Sequence, residues 1–255
     1  MANENQSFSQ NSPDNRSDFR VGAGGQVGIS FFYPKDMNEY LQDFWDNLLA
    51  VYDPFDYSGA PDLPPVSFGW DYQLKVLVRV INAIQIEAWN ENFSGTGMGF
   101  KSDFHYWDSY GNTETHKAKY VFIPTYKAYG MNLLFTPGAI DNFAFFTFGA
   151  GIGKYKCSLN IKSDLMDEIN GSVTSYKNSE NYNGEKWCFN FIIGTTYVPV
   201  KFIELESFIT GRLARFPEIK DSMGTIFMNP YRNYKHVSLD FSGIDLRIGI
   251  KFILF

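Results

Sequence analysis

The sequence predicts an all-β protein: an eight-stranded antiparallel up-and-down barrel that crosses a membrane on its strands. Three observations predict it. The last ten residues, LRIGIKFILF, alternate: Leu246, Ile248, Ile250, Phe252 and Leu254 share one face, while Asp245, Arg247, Gly249 and Lys251 share the other. Connections after strands one, three, five and seven are long, and those after two, four and six are only a few residues, the sorting by end that membrane-spanning barrels show. No run of about 18 apolar residues offers a spanning helix. A spanning strand needs only about 10 residues with every second one apolar, so a charged fraction of 20% and a mean hydropathy of -0.24 fit a barrel.

The elements follow in order. Residues 1–18 are polar and read as a flexible tail; they lack the apolar core of an export signal, so a signal removed before this chain is expected. The barrel is expected over 19–255. Strand one covers 21–33, where Val27, Ile29 and Phe31 alternate with Gln26, Gly28 and Ser30, and Pro34 ends it. A helix follows, with Asp36 as a candidate cap and Met37, Leu41, Phe44, Trp45, Leu48 and Tyr52 on one stripe. Its other side carries Glu39, Asp43 and Asp46, and a proline-rich stretch leads onward.

Strand two, 67–79, sets Trp70, Tyr72, Leu74, Val76 and Val78 against Asp71, Gln73, Lys75 and Arg79. A tight turn near Ile81 and Asn82 leads to strand three, 83–93. A polar loop is expected over 94–117, strand four over 118–135, and a short turn of breaker residues over 136–142. Strand five, 143–161, puts Gly149, Gly151 and Gly153 on one face and Phe146, Phe148, Ala150 and Ile152 on the other. A third loop, 162–184, strand six, 185–198, strand seven, 204–216, a fourth loop, 217–235, and strand eight, 236 to the end, complete the count. The alternation assigns Leu74, Val76, Val78, Ile84, Ile86, Phe146, Phe148, Phe189, Phe191, Ile248 and Ile250 to lipid. The 25 Phe and 16 Tyr suit aromatic girdles at the two interfaces. A net charge of -6 without a basic cluster argues against a nucleic-acid partner.

The polar phase defines a candidate interior: Lys75, Arg79, Glu87, Glu206, Arg212, Asp245, Arg247 and Lys251, five basic against three acidic. Eight strands enclose room for little beyond side chains. A mutually paired plug is therefore expected rather than an ion path. Cys157 and Cys188 lie on the polar phase of neighbouring strands and permit one cross-strand disulfide if the register aligns them. Asp103, His105, Asp108, Glu114 and His116 cluster in the second loop, but their spacing matches no tight ligand motif, so neither metal nor cofactor is expected.

FGAGIGKY, 148–155 in strand five, together with FSGIDLRIGIKFILF, 241–255, carries a family likeness. The chain resembles the small bacterial outer-membrane β-barrel superfamily that includes OmpX-like and OmpW-like proteins, over about residues 20–255. The terminal strand also resembles the assembly signal of such proteins, through Gly249, Phe252 and Phe255. The resemblance implies location in a bacterial outer membrane with loops outward and the tail in the periplasm. It implies lipid and lipopolysaccharide as surroundings, the barrel assembly machinery as a partner in biogenesis, and an extracellular ligand through the loops. It also implies a non-enzymatic role in envelope structure, in adhesion or host interaction, or in passage of small hydrophobic solutes.

Two alternatives stand beside it. His236 and Ser238 form an H-x-S that resembles the pair in outer-membrane lipid A deacylases, with His236 as base for Ser238; the Asn that follows the serine there is Leu239 here, and Asp240 and Asp245 are the available orienters. A soluble lipocalin-like barrel also alternates, with its apolar face inward.

Overall fold

A computed structural model describes residues 19–64, 66–81, 83–137, 144–169 and 171–254. The tail over 1–18, most of the 136–142 turn, Asn82 and Phe255 lie outside them. Strand β1 (Arg20–Phe32) leads through helix α1 (Lys35–Tyr52) and β2 (Asp56–Ser58) to β3 (Ser67–Ile81). Then come β4 (Ile84–Gly95), β5 (Met98–Trp107), β6 (Thr113–Phe135), β7 (Ala144–Ile169), β8 (Ser172–Val200) and β9 (Ile203–Leu213). Four two-residue pieces, β10 (Arg215–Phe216), β11 (Met228–Asn229), β12 (Lys235–His236) and β13 (Leu239–Asp240), precede β14 (Gly243–Ile253). β1, β3, β4, β6, β7, β8, β9 and β14 pair antiparallel in that order, and β14 returns to β1 from Gly22↔Ile253 to Phe32↔Gly243, so the sheet closes on eight strands.

Pleating sorts the side chains. In β3, Phe68, Trp70, Tyr72, Leu74 and Val76 point out while Asp71, Gln73, Lys75 and Leu77 are buried. Leu74, Val76, Phe146, Phe148, Phe189, Phe191, Ile248 and Ile250 all stand exposed, with Leu74 at 62% and Ile248 at 64%; Val78, Ile84 and Ile86 are half-buried. A soluble ligand-binding barrel holds its apolar face inside. This barrel turns a closed belt of Leu, Ile, Val and Phe outward and buries its charges, so the solvent of the belt is hydrocarbon.

The polarity inverts partway along the longer strands. On β7 the outward row runs Phe146, Phe148, Ala150, Ile152 and then Lys154, Lys156, Ser158, Asn160, Lys162. The inward row runs Thr147, Gly149, Gly151, Gly153 and then Tyr155, Cys157, Leu159, Ile161, the last four buried. Above the belt the same strand is an ordinary one: polar toward water, apolar toward a core.

Two predicted loops are instead paired strand. Residues 98–107 form β5, which pairs with β6 from Met98↔Phe122 to Trp107↔Thr113. The expected loop over 162–184 is the upper half of the β7–β8 hairpin, whose register runs unbroken from Ala144↔Tyr197 to Ile169↔Ser172. Outside the membrane both faces of the outer part of this hairpin meet water, so no apolar row marks the strand although its ladder continues. The fourth loop is longer than expected: the closing strand begins at Gly243 rather than at 236, and the stretch between it and β9 holds β10 paired with β13 and β11 paired with β12.

Helix α1 buries Met37, Leu41, Trp45 and Leu48, with Tyr40, Phe44 and Tyr52 partly buried against the same cluster. That stripe recurs every three to four residues and seats the helix on Phe100, Phe104 and Tyr120 of the β5–β6 sheet, with ring centroids 4.7–5.9 Å apart. Asp36 is not its cap. The residue before the helix is Pro34, without a side-chain cap, and Asp36 sits in the first turn, where its carboxylate is taken by Ser238 and Arg215. At the other end Asp53 adopts a left-handed conformation and its N–H returns to the Leu49 carbonyl, after which Pro54 stops the helix.

Replacing Ile248 by Arg puts a cation in the belt and is expected to cost about 2–4 kcal/mol of folding stability, read by guanidinium unfolding of the barrel in lipid vesicles. The same change at Lys162, on the outward row above the inversion, should leave the unfolding curve in place.

Candidate functional site

Two layers of charge fill the barrel. Toward the short-turn end, the Lys75 Nζ lies 2.5 Å from Glu206 Oε2 and 3.1 Å from Glu87 Oε1. The Lys251 Nζ lies 2.5 Å from the other Glu206 oxygen and 3.1 Å from Glu204 Oε2, and Arg79 closes on Glu204 at 2.8 Å. Gln26 donates to Glu206 and Gln85 to Glu87. A cavity of about 330 Å³ opens at this end, lined by Arg20, Arg79, Glu204 and Lys251 among others, so its wall is this layer.

The second layer lies toward the loops. Arg247 reaches Asp71 at 3.0 Å, Glu91 at 2.7 Å and Asp245 at 3.0 Å. Arg212 Nη1 lies 2.9 Å from Asp245 Oδ1 and also bonds the Tyr126 hydroxyl, which donates to Glu91 at 2.5 Å. Ser30 donates to Asp71 at 2.7 Å.

The register explains the reach. Gly28 of β1 stands opposite Arg247 on one side and Asp71 on the other. A Cβ at Gly28 would lie 2.7 Å from Arg247 Cγ and 3.1 Å from Asp71 Oδ2. The missing side chain lets the guanidinium cross a whole strand. Gly153 does the same for bulk: its Cβ would lie 2.5 Å from Trp89 Cη2, and Trp89 fills that space while donating to Asn132 at 2.9 Å.

All eight predicted interior charges point inward, and the structure adds Asp71, Glu91 and Glu204, which the predicted interior set had not included. The census becomes six acidic against five basic, not three against five. Asp71 had been placed on the polar face of strand two; its role shows only when three strands are registered together. Above the second layer, Phe32, Phe93, Tyr126 and Phe241 pack with centroids 4.8–5.8 Å apart, and α1 lies over them. Side chains thus fill the cross-section from the charge layers to the loops.

The other candidates resolve differently. Cys157 and Cys188 are both buried and free. Cys157 faces Gly184 and Cys188 faces Gly153, so they sit four residues out of register, roughly 13 Å along the strands and beyond disulfide reach. His236 and Ser238 do not meet as a pair. The His236 ring is 3.5 Å from Glu218, whereas Ser238 is buried, donates to Asp36 and accepts from Arg215 at 3.3 Å. Burial alone would raise the Asp36 carboxyl; Ser238, Lys235 and Arg215 outweigh it and hold it below the usual range. Of the two expected orienters, Asp240 accepts the Ser242 N–H and Asp245 belongs to the interior.

The second-loop set is split by the β5–β6 pleat. His105 meets Thr115 at 3.1 Å, His116 is buried against Asp167, and Asp108 caps the turn through the Tyr110 and Asn112 N–H groups. Among the described residues, no group of three His, Cys, Asp or Glu is placed to hold a metal. At the terminal strand, Gly249 faces Gln26 and Phe252 faces Ala23 on the closing seam.

A closed sheet with an apolar exterior and a charge-filled interior defines a small eight-stranded transmembrane β-barrel. No family model and no curated protein matches the chain. Solved structures similar to it include Neisserial surface protein A, at 8% identity over 92% of this chain and 96% of that one, with a TM-score of 0.36. They include also Ail, the attachment invasion locus protein of Yersinia pestis, at 8% identity over 91% and 98%, with a TM-score of 0.35. At these scores the class rests on the closed register and the inverted faces, not on the likeness.

Arg247→Met leaves Asp71, Glu91 and Asp245 without their shared cation and is expected to cost about 3–5 kcal/mol, measured by denaturant unfolding in vesicles. Planar-bilayer recordings of the intact protein should show no large, stable, porin-like conductance.

Proposed function

We propose that the chain is an integral barrel of a bacterial outer membrane whose work is done by its outer loop end, as a non-enzymatic envelope or adhesive protein. The observation that carries this reading is the division of labour along the strands. The barrel is filled, while β5, the upper parts of β6, β7 and β8, and α1 build an ordered structure beyond the belt. A plug does not need such an extension; a surface that meets other molecules does. The H-x-S pair, with its members turned to different partners, lends no support to a hydrolase. Passage of small hydrophobic solutes is the weaker reading, since the interior is lined by ion pairs.

Lipopolysaccharide is the proposed neighbour at the outer margin. Lys127, Lys154 and Lys156 stand on the outward rows just beyond Tyr129 and Ile152, and Trp187 faces Lys154 across the ladder. Glu185 engages Lys154 and Lys156, at 3.5 Å for the latter, and Lys127 carries no such partner among the described residues. Aromatic rings followed by ammonium groups suit the level of lipid headgroups and their phosphates.

The orientation has a direct test. Protease added to intact cells should cut within the β7–β8 hairpin above Gly184 or within 217–235, leaving a protected barrel fragment. Protection of both segments in intact cells, with cutting only after the membrane is opened, would reverse the topology.

A further inference from the structure

Beyond the belt lies a cleft of about 570 Å³ between α1, the inner face of the β7–β8 hairpin and the segment 225–234. Its walls are aromatic. Tyr182 and Phe227 rings lie 4.6 Å apart, Tyr40 and Phe227 4.9 Å, and Phe44 and Tyr120 4.7 Å at 87°. The lining holds one carboxylate, Glu180, and no Lys, Arg or His.

Glu180 is held in place by neutral groups. Asn178 Nδ2 donates to one oxygen at 3.1 Å and the Tyr182 hydroxyl to the other at 2.9 Å. Neither bond neutralises its charge. Cations that could do so are engaged elsewhere. Lys162 and Lys177 leave the hairpin from its opposite face, Lys177 toward Asp164 at 3.4 Å. Lys220 turns to Glu218 at 3.9 Å. Arg232 and Lys235 are taken by Glu39 and Asp43 of α1. Burial, with the neighbouring Tyr52 and Tyr231, pushes the Tyr120 phenol up to about 12, and Glu180 adds a smaller push in the same direction there and on Tyr40.

An exposed carboxylate on the wall of a cleft otherwise lined largely by aromatic rings is an arrangement that attracts a cation and rejects an anion, because the ring quadrupoles and the carboxylate act with the same sign. A neutral sugar would gain from the rings but not from the unpaired charge. We infer that this cleft binds a small organic cation, an ammonium or guanidinium group presented on an apolar body. The inference needs the cleft and its charge, and it goes beyond the barrel's role in the envelope.

The test uses the full barrel in a polyoxyethylene detergent, which carries neither a quaternary ammonium nor a sugar. Titration calorimetry compares choline with its neutral isostere 3,3-dimethylbutanol. Choline is expected to bind about tenfold more tightly than the isostere, from its charge over the rings and beside Glu180. Glu180→Gln should weaken choline binding and shrink that preference to what the rings alone supply, while leaving the isostere's binding unchanged, and far-UV circular dichroism should show the fold intact. Equal binding of choline and its isostere, no binding of choline, or a choline affinity unmoved in the Gln variant would each overturn the inference. Binding of a neutral disaccharide in preference to choline would assign the cleft to sugars instead. Failure of the protease test would leave this result standing, and the reverse also holds.

Discussion

The β1–β14 seam is the constraint on which everything else depends. In hydrocarbon every backbone N–H and C=O must find a partner inside the protein, and each one left over costs several kcal/mol. A sheet with an edge cannot meet that condition, so the last strand must return to the first. Closure on eight strands then sets the width of the interior. That width admits side chains and little else, which turns the inward face into a packing problem. The chain solves it with glycines where a long side chain must pass, as Gly28 does beneath Arg247, and with ion pairs where polar ends must meet.

Those ion pairs follow from closure rather than adding to it freely. A charge inside the barrel is removed from water, and its attraction to a partner is what keeps it tolerable. This is why the interior carboxylates each meet a cation or a hydrogen-bond donor, and why Glu206 sits between two lysines. The same logic explains the aromatic layer above. Phe32, Phe93 and Phe241 close the top of the barrel without any polar group to satisfy, so the charge layers end against a dry surface on one side and a small cavity on the other.

How much of this was legible in the sequence depends on how many strands had to be read together. One strand suffices to read β3 or β14, because Leu74 and Lys75, or Ile248 and Arg247, meet opposite environments one residue apart. The α1 stripe was legible for the same reason. Two strands are needed to place a cysteine pair, and the four-residue offset of Cys157 and Cys188 is invisible in either strand alone. Three are needed to see that Asp71, Arg247 and Gly28 form one unit. The aromatic cleft needs the hairpin, the helix and the fourth loop at once, and residues 162–184 had no periodic signal to show that a hairpin was there.

That missing signal is itself informative about where the membrane ends. Along β7 the apolar row crosses from the outer to the inner face between Ile152 and Tyr155. β8 agrees: Phe191, Phe189 and Trp187 point out, and Glu185 and Asn183 follow on the same face. On β6 the outward Leu133, Met131 and Tyr129 give way to Lys127, although Ile123 and Val121 interrupt the polar row beyond it. The three crossings fall side by side, since Tyr129 pairs with Lys154 and Lys154 with Trp187. A soluble protein has one solvent and no cause to exchange its faces along a strand. Here the exchange is concerted across neighbours, and it draws the water boundary as a line on the protein. Above that line the sheet is free to build a core of its own around α1, and the cleft beside it is made from that core's uncovered edge.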